Sequence, residues 1–173
     1  MRYWEEGWQS IIFDYIENYT LKAGFDGIFL DIVDGFEYYD EEVENAAELM
    51  VEFVCEIAEF SRSCANNTNF LIIPQNGEAL HEYPEYLQCI SGLAKEDIFY
   101  NDDTRNSPSE VNYVLNHVQA FQQAGKFVLL TEYCREAPHI ADFYALASQH
   151  GFIPYSTTRD LDSIIINPGY EPD

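Results

Sequence analysis

Apolar positions along the chain change their period several times, and the changes divide it into alternating helices and strands. Over 8–23 the residues Ile11, Ile12, Tyr15, Ile16 and Tyr19 fall at helical spacing, and Gly24 follows as a stop. Residues 27–33 are then almost continuously apolar, broken by Asp31, as expected of a parallel strand covered on both faces. Asp40 is placed to cap the next helix. Glu41 and Glu42 suit its positive N-terminal end, and Val43, Ala46, Ala47, Met50, Val54, Ile57 and Ala58 form its apolar stripe. A polar turn, Asn66-Asn67-Thr68, leads to a strand at 70–73, a shorter helix over 84–90 and a weaker strand over 92–96. Ser107-Pro108-Ser109-Glu110 reads as a capping box with proline at the first helical position. The helix it opens buries Val111, Val114, Leu115, Val118 and Phe121 and ends near Gly125. A fourth strand follows at 127–131. Pro138 opens a further helix with Ile140, Phe143, Leu146 and Ala147 inward, Gly151 closes it, and 152–155 is a fifth strand.

Strands separated by helices in this order imply βαβ units and a parallel sheet with right-handed crossovers. Such a sheet is either open and doubly wound or rolled into a barrel. No GxGxxG follows a strand and no GxxxxGK[ST] is present, so the nucleotide-binding open sheets lose support. The length, 173 residues, suits one domain over 1–173. It is short of the roughly 250 residues of a complete (β/α)₈ barrel.

Chemistry in parallel βα folds collects at the C-terminal ends of strands. Those ends carry Asp31 and Asp34, then Gln75, Asn76 and Gly77, then Lys95, Glu96 and Asp97, then Glu132, Tyr133 and Cys134, and last Tyr155. Asp31 interrupts an apolar strand, where an ionised carboxylate needs partners or a wet cavity. Any one acid here could simply cap a helix or face solvent. Asp31, Glu96 and Glu132 together favour catalysis, because acids crowded into one mouth have split pKa values. Glycoside hydrolysis uses that split, with one carboxyl group as acid and another as nucleophile or base. Asp31, next to Asp34 and a tyrosine-rich loop, is expected to be the ionised partner. Glu96, flanked by Leu93, Ala94, Ile98 and Phe99, is expected to have a raised pKa and to act as general acid, with Glu132 positioning the substrate. The competing use of clustered acids is a metal-dependent hydrolase. His81, His117, His139 and His150 all fall on helices or helix starts, which supports it weakly, so no metal or cofactor is expected. Trp4, Trp8, Phe36, Tyr38, Tyr39, Tyr100, Tyr133 and Tyr155 fall at strand ends or in loops, where aromatic faces can pack on sugar rings or merely cover the rim.

Charge narrows the partners. Acidic residues number 31 against 8 basic ones, for a formal net charge of −23. Such a surface repels nucleic acid and anionic lipid and draws in cationic partners, although a solvated acidic surface gives the same count. The apolar runs are too short to insert in a membrane. Met1 is followed at once by Arg2, Tyr3, Trp4 and two glutamates, which is no signal-peptide pattern. Cys55, Cys64, Cys89 and Cys134 include no CxxC pair, so structural thiols are expected, and Cys55 and Cys64, nine apart on one helix, cannot bridge.

Several strings bring a known family into view. Arg2-Tyr-Trp4 with Trp8, the run from Gly24 through Asp31 to Asp34, Ile73-Pro-Gln-Asn-Gly77, Ala94-Lys-Glu-Asp97, Glu132-Tyr-Cys134 and Gly151-Phe-Ile-Pro-Tyr155 resemble glycoside hydrolase family 114. The resemblance implies a (β/α) barrel of TIM type with endo-α-1,4-polygalactosaminidase activity on galactosamine-containing polysaccharide, often outside the cell. It puts the catalytic aspartate at Asp31 and the catalytic glutamate at Glu96, with Glu132 a second candidate. Asp34, Gln75, Asn76, Tyr133, Tyr155 and Trp4 are then expected to contact substrate. It also begins after an early barrel strand, so the chain is expected to hold an incomplete barrel lacking the N-terminal strands. A non-catalytic carbohydrate-binding barrel or an inactive fragment is the alternative. Galactosamine units carry ammonium groups near neutral pH, in keeping with the negative charge.

Overall fold

The computed structural model describes residues 2–171. Helix α1 (Glu6–Tyr15) runs on through a π-helical turn at Ile16–Thr20 to strand β1 (Gly27–Leu30). The short α2 (Gly35–Tyr39) and the long α3 (Ala46–Cys64) lead to β2 (Leu71–Pro74). A 3₁₀ turn at Glu78–Glu82 and α4 (Pro84–Cys89) precede β3 (Gly92–Glu96), which is followed by the small strands β4 (Tyr100–Asn101) and β5 (Thr104–Arg105). Then come α5 (Pro108–Gln123), β6 (Phe127–Glu132), α6 (Ala137–His150) and β7 (Ile153–Ser156).

All pairings among the five larger strands are parallel. β1 pairs with β2, and β3 with β6 and β6 with β7. A bridge between Gln75 and Ala94 joins the two groups, together with the bonds from Ser91 N–H to the Ile72 carbonyl and from Asn76 N–H to the Ala94 carbonyl, both 2.8 Å. The spatial order β1-β2-β3-β6-β7 therefore follows the chain. A doubly wound sheet would reverse direction at a switch point; this one does not. β4 and β5 form an antiparallel hairpin beyond the end of β3. Among the described residues, β1 pairs with β2 alone and β7 with β6 alone.

The pleat sends alternate side chains to opposite faces. On one face Ile72, Leu93, Val128 and Leu130 are fully buried, in one cluster with Val54, Ile57 and Ala58 of α3, Val118 and Phe121 of α5, and Phe143 and Ala147 of α6. Each large side chain sealed there contributes about 1.5–3 kcal/mol. The other face carries Phe29, Leu71, Ile73, Leu129 and Ile153, and Phe29 and Ile153 are 55% and 54% exposed. The expectation of strands covered on both faces is thus met on the helix side only. On the open face Gly27 and Gly92 allow close approach: a Cβ on Gly92 would stand 2.3 Å from the ring of its register partner Phe127, and one on Gly27 2.6 Å from Cβ of its partner Leu71.

The capping box of α5 is formed in both directions, with Ser107 Oγ accepting from Glu110 N–H and Ser107 N–H donating to the Glu110 carboxylate. Two local expectations are corrected. Asp40 closes α2 rather than capping α3, which starts after Asn45, because residues 35–39 form their own turn around the buried Phe36. The thiol expectation fails for Cys55 and Cys89, which form a disulfide because α3 packs against α4; Cys64 and Cys134 stay free. Among the described residues, no helix is long and apolar enough to cross a membrane.

Candidate active site

Counting the pleat from the register pairs places Asp31, Gln75, Glu96, Thr131 and Tyr155 at strand ends on the open face. Directly after the first three, the backbone turns left-handed, at Ile32 (φ 61°), Asn76 (φ 59°) and Asp97 (φ 55°). Asn and Asp tolerate that region; a β-branched residue does so at a cost.

Glu96 accepts hydrogen bonds from three side chains at this mouth. Tyr133 OH donates to its Oε2 at 2.6 Å and Asn76 Nδ2 to its Oε1 at 3.3 Å, and the Gln75 side chain also bonds to it. Lys95 Nζ donates to Asn76 Oδ1 at 2.9 Å and stands 3.5 Å from Glu78. Burial pushes the Glu96 pKa up, but the bonds from Tyr133, Asn76 and Gln75, with the charge of Lys95, outweigh it and hold it below the usual value. The expected raised pKa is therefore corrected: the flanking apolar residues are outvoted by polar groups from two other strand ends.

Asp31 is exposed and accepts a hydrogen bond from Ile32 N–H at 2.9 Å. Asp34 starts α2 nearby. Burial raises its pKa, Lys95 opposes, and Glu78 and Asp31 add to the rise. Glu37 is raised in the same way, by burial and then by Glu78 and Asp34. Asp31, Glu78 and Lys95 thus all lie within electrostatic reach of Asp34, and Lys95 bonds Asn76, which in turn bonds Glu96.

Glu132 is placed differently. It is 0% exposed, on the helix side of β6, and its two oxygens accept from Phe99 N–H at 2.8 Å and Tyr100 N–H at 3.2 Å. Burial pushes its pKa up to about 8, against the opposing backbone bonds. The structure does not bring Glu132 into the mouth with Glu96. The register sets this, because Glu96 pairs with Thr131 and the next residue points to the other face.

Among the other anticipated contacts, Gln75, Asn76 and Tyr133 surround Glu96. The Tyr155 hydroxyl is occupied, accepting from Ile165 N–H at 3.0 Å. Trp4 packs edge-on against Tyr3 and Tyr39 at 4.9 and 5.1 Å, beside a groove of about 1070 Å³ that includes Trp8, Phe29, Asp31 and Tyr38. Phe36 is in the core, and Tyr100 is buried with its hydroxyl donating to Asp142. His81 and His117 bond to each other at 2.9 Å, and His139 bonds to Asp103 at 3.0 Å. Among the described residues, no three His, Cys, Asp or Glu side chains are grouped to hold a metal ion. The sequence reading placed Lys95 at a strand end but gave it no role in the site, and it missed Glu78 and Arg159. Arg159 was signalled only as a cation just past the last strand of an acidic chain.

Parallel βα units in chain order, with ionisable groups gathered at the strand ends, define a barrel-type α/β fold with a carboxylate mouth. Residues 1–171 match glycoside-hydrolase family GH114, and the chain belongs to that family. It is 35% identical to the uncharacterized protein MJ1477 of Methanocaldococcus jannaschii, over 95% of this chain and 51% of that one. It is 33% identical to an uncharacterized protein of Thermotoga maritima, over 99% of this chain and 57% of that one. The chain spans about half the length of these curated relatives. The glycoside hydrolase domain of PelA from Pseudomonas aeruginosa has a similar fold, with TM-score 0.75 at 20% identity, covering 96% of this chain and 66% of that one. Aspergillus fumigatus Ega3, solved in complex with galactosamine, does so with TM-score 0.69 at 18% identity, covering 96% and 62%.

Proposed function

We propose that the protein is a glycosidase that cleaves galactosamine-containing polysaccharide, with Asp31 and Glu96 as its carboxylate pair. The observation that carries this reading is Glu96, held on the open face of a strand end by Tyr133, Asn76 and Gln75, in a chain of a glycoside hydrolase family. The galactosamine bound to Ega3 supports an amino-sugar substrate. The net charge of −23 favours a polymer bearing ammonium groups. An internal α-1,4 cleavage mode rests on the sequence resemblance. The Cys55–Cys89 disulfide supports an extracellular setting, where such bonds persist. The apolar open face, with β1 and β7 each paired on one side, supports a barrel that further strands complete.

Asp31 is assigned as nucleophile or base and Glu96 as general acid. Glu96 is ionised in the free protein, so it takes up its proton as substrate enters. A sugar filling the mouth strips water from it, and that desolvation raises its pKa. Asp34, Gln75, Asn76 and Tyr133 contact substrate, with Trp4 and Tyr155 on the rim. Glu132 holds residues 99–100 from below.

The test compares a galactosamine polymer with a galactosaminide bearing an activated leaving group. Glu96→Ala loses polymer cleavage but keeps much of the rate on the activated substrate, which needs little protonation, while Asp31→Ala loses both. Leaving-group dependence in Glu132→Ala instead of Glu96→Ala would transfer the acid role. Loss of cleavage on chelation would replace the carboxylate mechanism by a metal-dependent one. Binding of polymer without any cleavage would make the protein a carbohydrate-binding barrel.

A further inference from the structure

Arg159 lies just past β7 and is the centre of a network that reaches Glu96 from behind. Its Nη1 and Nη2 donate to the two Asp97 carboxylate oxygens, each at 3.0 Å. Its Nε donates to Asp102 at 2.8 Å, and Nη2 also donates to Asn101 at 3.0 Å. The guanidinium lies over the Tyr133 ring, with Cζ 4.3 Å from the ring centroid. Guanidinium geometry allows both uses at once: the N–H groups point outward in the plane, and the face is left for an aromatic ring. The Tyr133 hydroxyl is the group that bonds Glu96 at 2.6 Å, and Asp97 is the residue that follows Glu96.

We propose that Arg159 is a positioning residue for Glu96, acting through the Tyr133 ring that it clamps against the Asp97–Asp102 turn. The proposal rests on the glycosidase reading for its catalytic meaning. The segment that carries Arg159 is itself fixed. Thr157 N–H donates to the Glu132 carbonyl at 3.0 Å, Ser156 Oγ to the Cys134 carbonyl at 3.2 Å, and Asn167 Nδ2 to the Ser156 carbonyl at 2.8 Å. A guanidinium tethered in this way pins the ring: burial and then Glu96 push the Tyr133 hydroxyl well above its usual pKa and Arg159 only partly opposes them, so its action is to hold the donor in place. The charged groups around Glu96 are Lys95 on its own strand, Asp97 on the adjoining turn, and Arg159 itself, with Tyr133 as the titratable phenol. Asp102 lies on the far side of Arg159.

The test follows the titration of the Glu96 carboxyl carbon by NMR, alongside kcat/KM against pH, in the wild type, Arg159→Gln, Tyr133→Phe and the double variant. Each single substitution should raise the Glu96 midpoint by roughly one pH unit, the scale of a lost hydrogen bond to a charged group. The basic limb of kcat/KM, which reports the acid of the free enzyme, should rise with it. In the Tyr133→Phe background Arg159→Gln should add no further shift. An unshifted midpoint in Arg159→Gln overturns the proposal. So does an equal shift in both backgrounds, which would make the effect one of bare charge. If Arg159→Gln fails to fold, Arg159→Lys, which keeps the charge but cannot span both Asp97 oxygens and the ring, is held to the same two criteria. The carbon titration needs no turnover. A protein that does not cleave the polymer therefore refutes the glycosidase reading and leaves the Arg159–Tyr133–Glu96 coupling to be judged by its own signal.

Discussion

Glu96 and Glu132 end neighbouring strands of one parallel sheet, and a single residue of register separates them. Glu96 faces the open mouth, bonded by a phenol and an amide, and stays ionised more readily than an ordinary glutamate. Glu132 faces the helix side, fully buried, bonded by two backbone N–H groups, and holds its proton to about pH 8. The same side chain at the same topological place thus has opposite proton affinity. The pleat makes the difference, because it decides whether side-chain donors and nearby solvent or a sealed apolar layer surrounds the carboxyl group.

The largest expected contrast is in activity. Glu96→Gln and Asp31→Asn should lower kcat on galactosamine polymer by about 10³-fold, the middle of the range for acid–base groups. Glu132→Gln, which keeps one acceptor for the turn, should stay within about tenfold of the wild type. An equal loss in all three would place Glu132 in the reaction and end the contrast. Stability should reverse the ranking. Glu132→Ala strands the N–H groups of Phe99 and Tyr100 and leaves a cavity, so urea unfolding should show a loss of about 2–4 kcal/mol. Glu96→Ala should cost less than about 1 kcal/mol.

The pH dependence of stability sharpens the contrast further, because the two groups contribute with opposite sign. Glu132 binds its proton more tightly folded than unfolded, so its contribution is full below about 4.5 and is lost as pH rises towards about 8. Between those limits it should lower the unfolding free energy by up to about 5 kcal/mol, a slope that Glu132→Gln removes. Glu96, with its folded pKa lowered, contributes above its unfolded value and loses that contribution as pH falls. Urea midpoints measured across this range in the two Gln variants separate the slopes; slopes of the same sign would show that the two environments are alike.

The helical and strand segments, their parallel connection and the Ser107–Glu110 capping box were legible in the sequence, because each rests on local spacing. The strand-end position of Glu132 was legible too, but its face was not. Val128, Leu129 and Leu130 are apolar on both sides of β6, so the run shows no alternation from which to count the pleat. The Glu96 environment was hidden for another reason. Its donors Asn76 and Tyr133 lie 20 and 37 residues away, and only the strand register brings them to it. The same holds for Cys55 with Cys89, 34 residues apart on separate helices, and for Arg159, 62 residues from Asp97.

Ile32 carries a last consequence. It is a β-branched residue at φ 61°, 69% exposed, so little packing holds it in a region that disfavours it. Asparagine, which fills the equivalent turn after Gln75, adopts that conformation readily. Ile32→Asn should accordingly raise the thermal midpoint, by about 1 kcal/mol in unfolding free energy. The turn follows Asp31 directly, and its amide donates to the Asp31 carboxylate. On the proposed mechanism, relaxing it trades thermal robustness against the aim of that carboxylate, so selection for heat tolerance and selection for turnover would pull apart at Ile32.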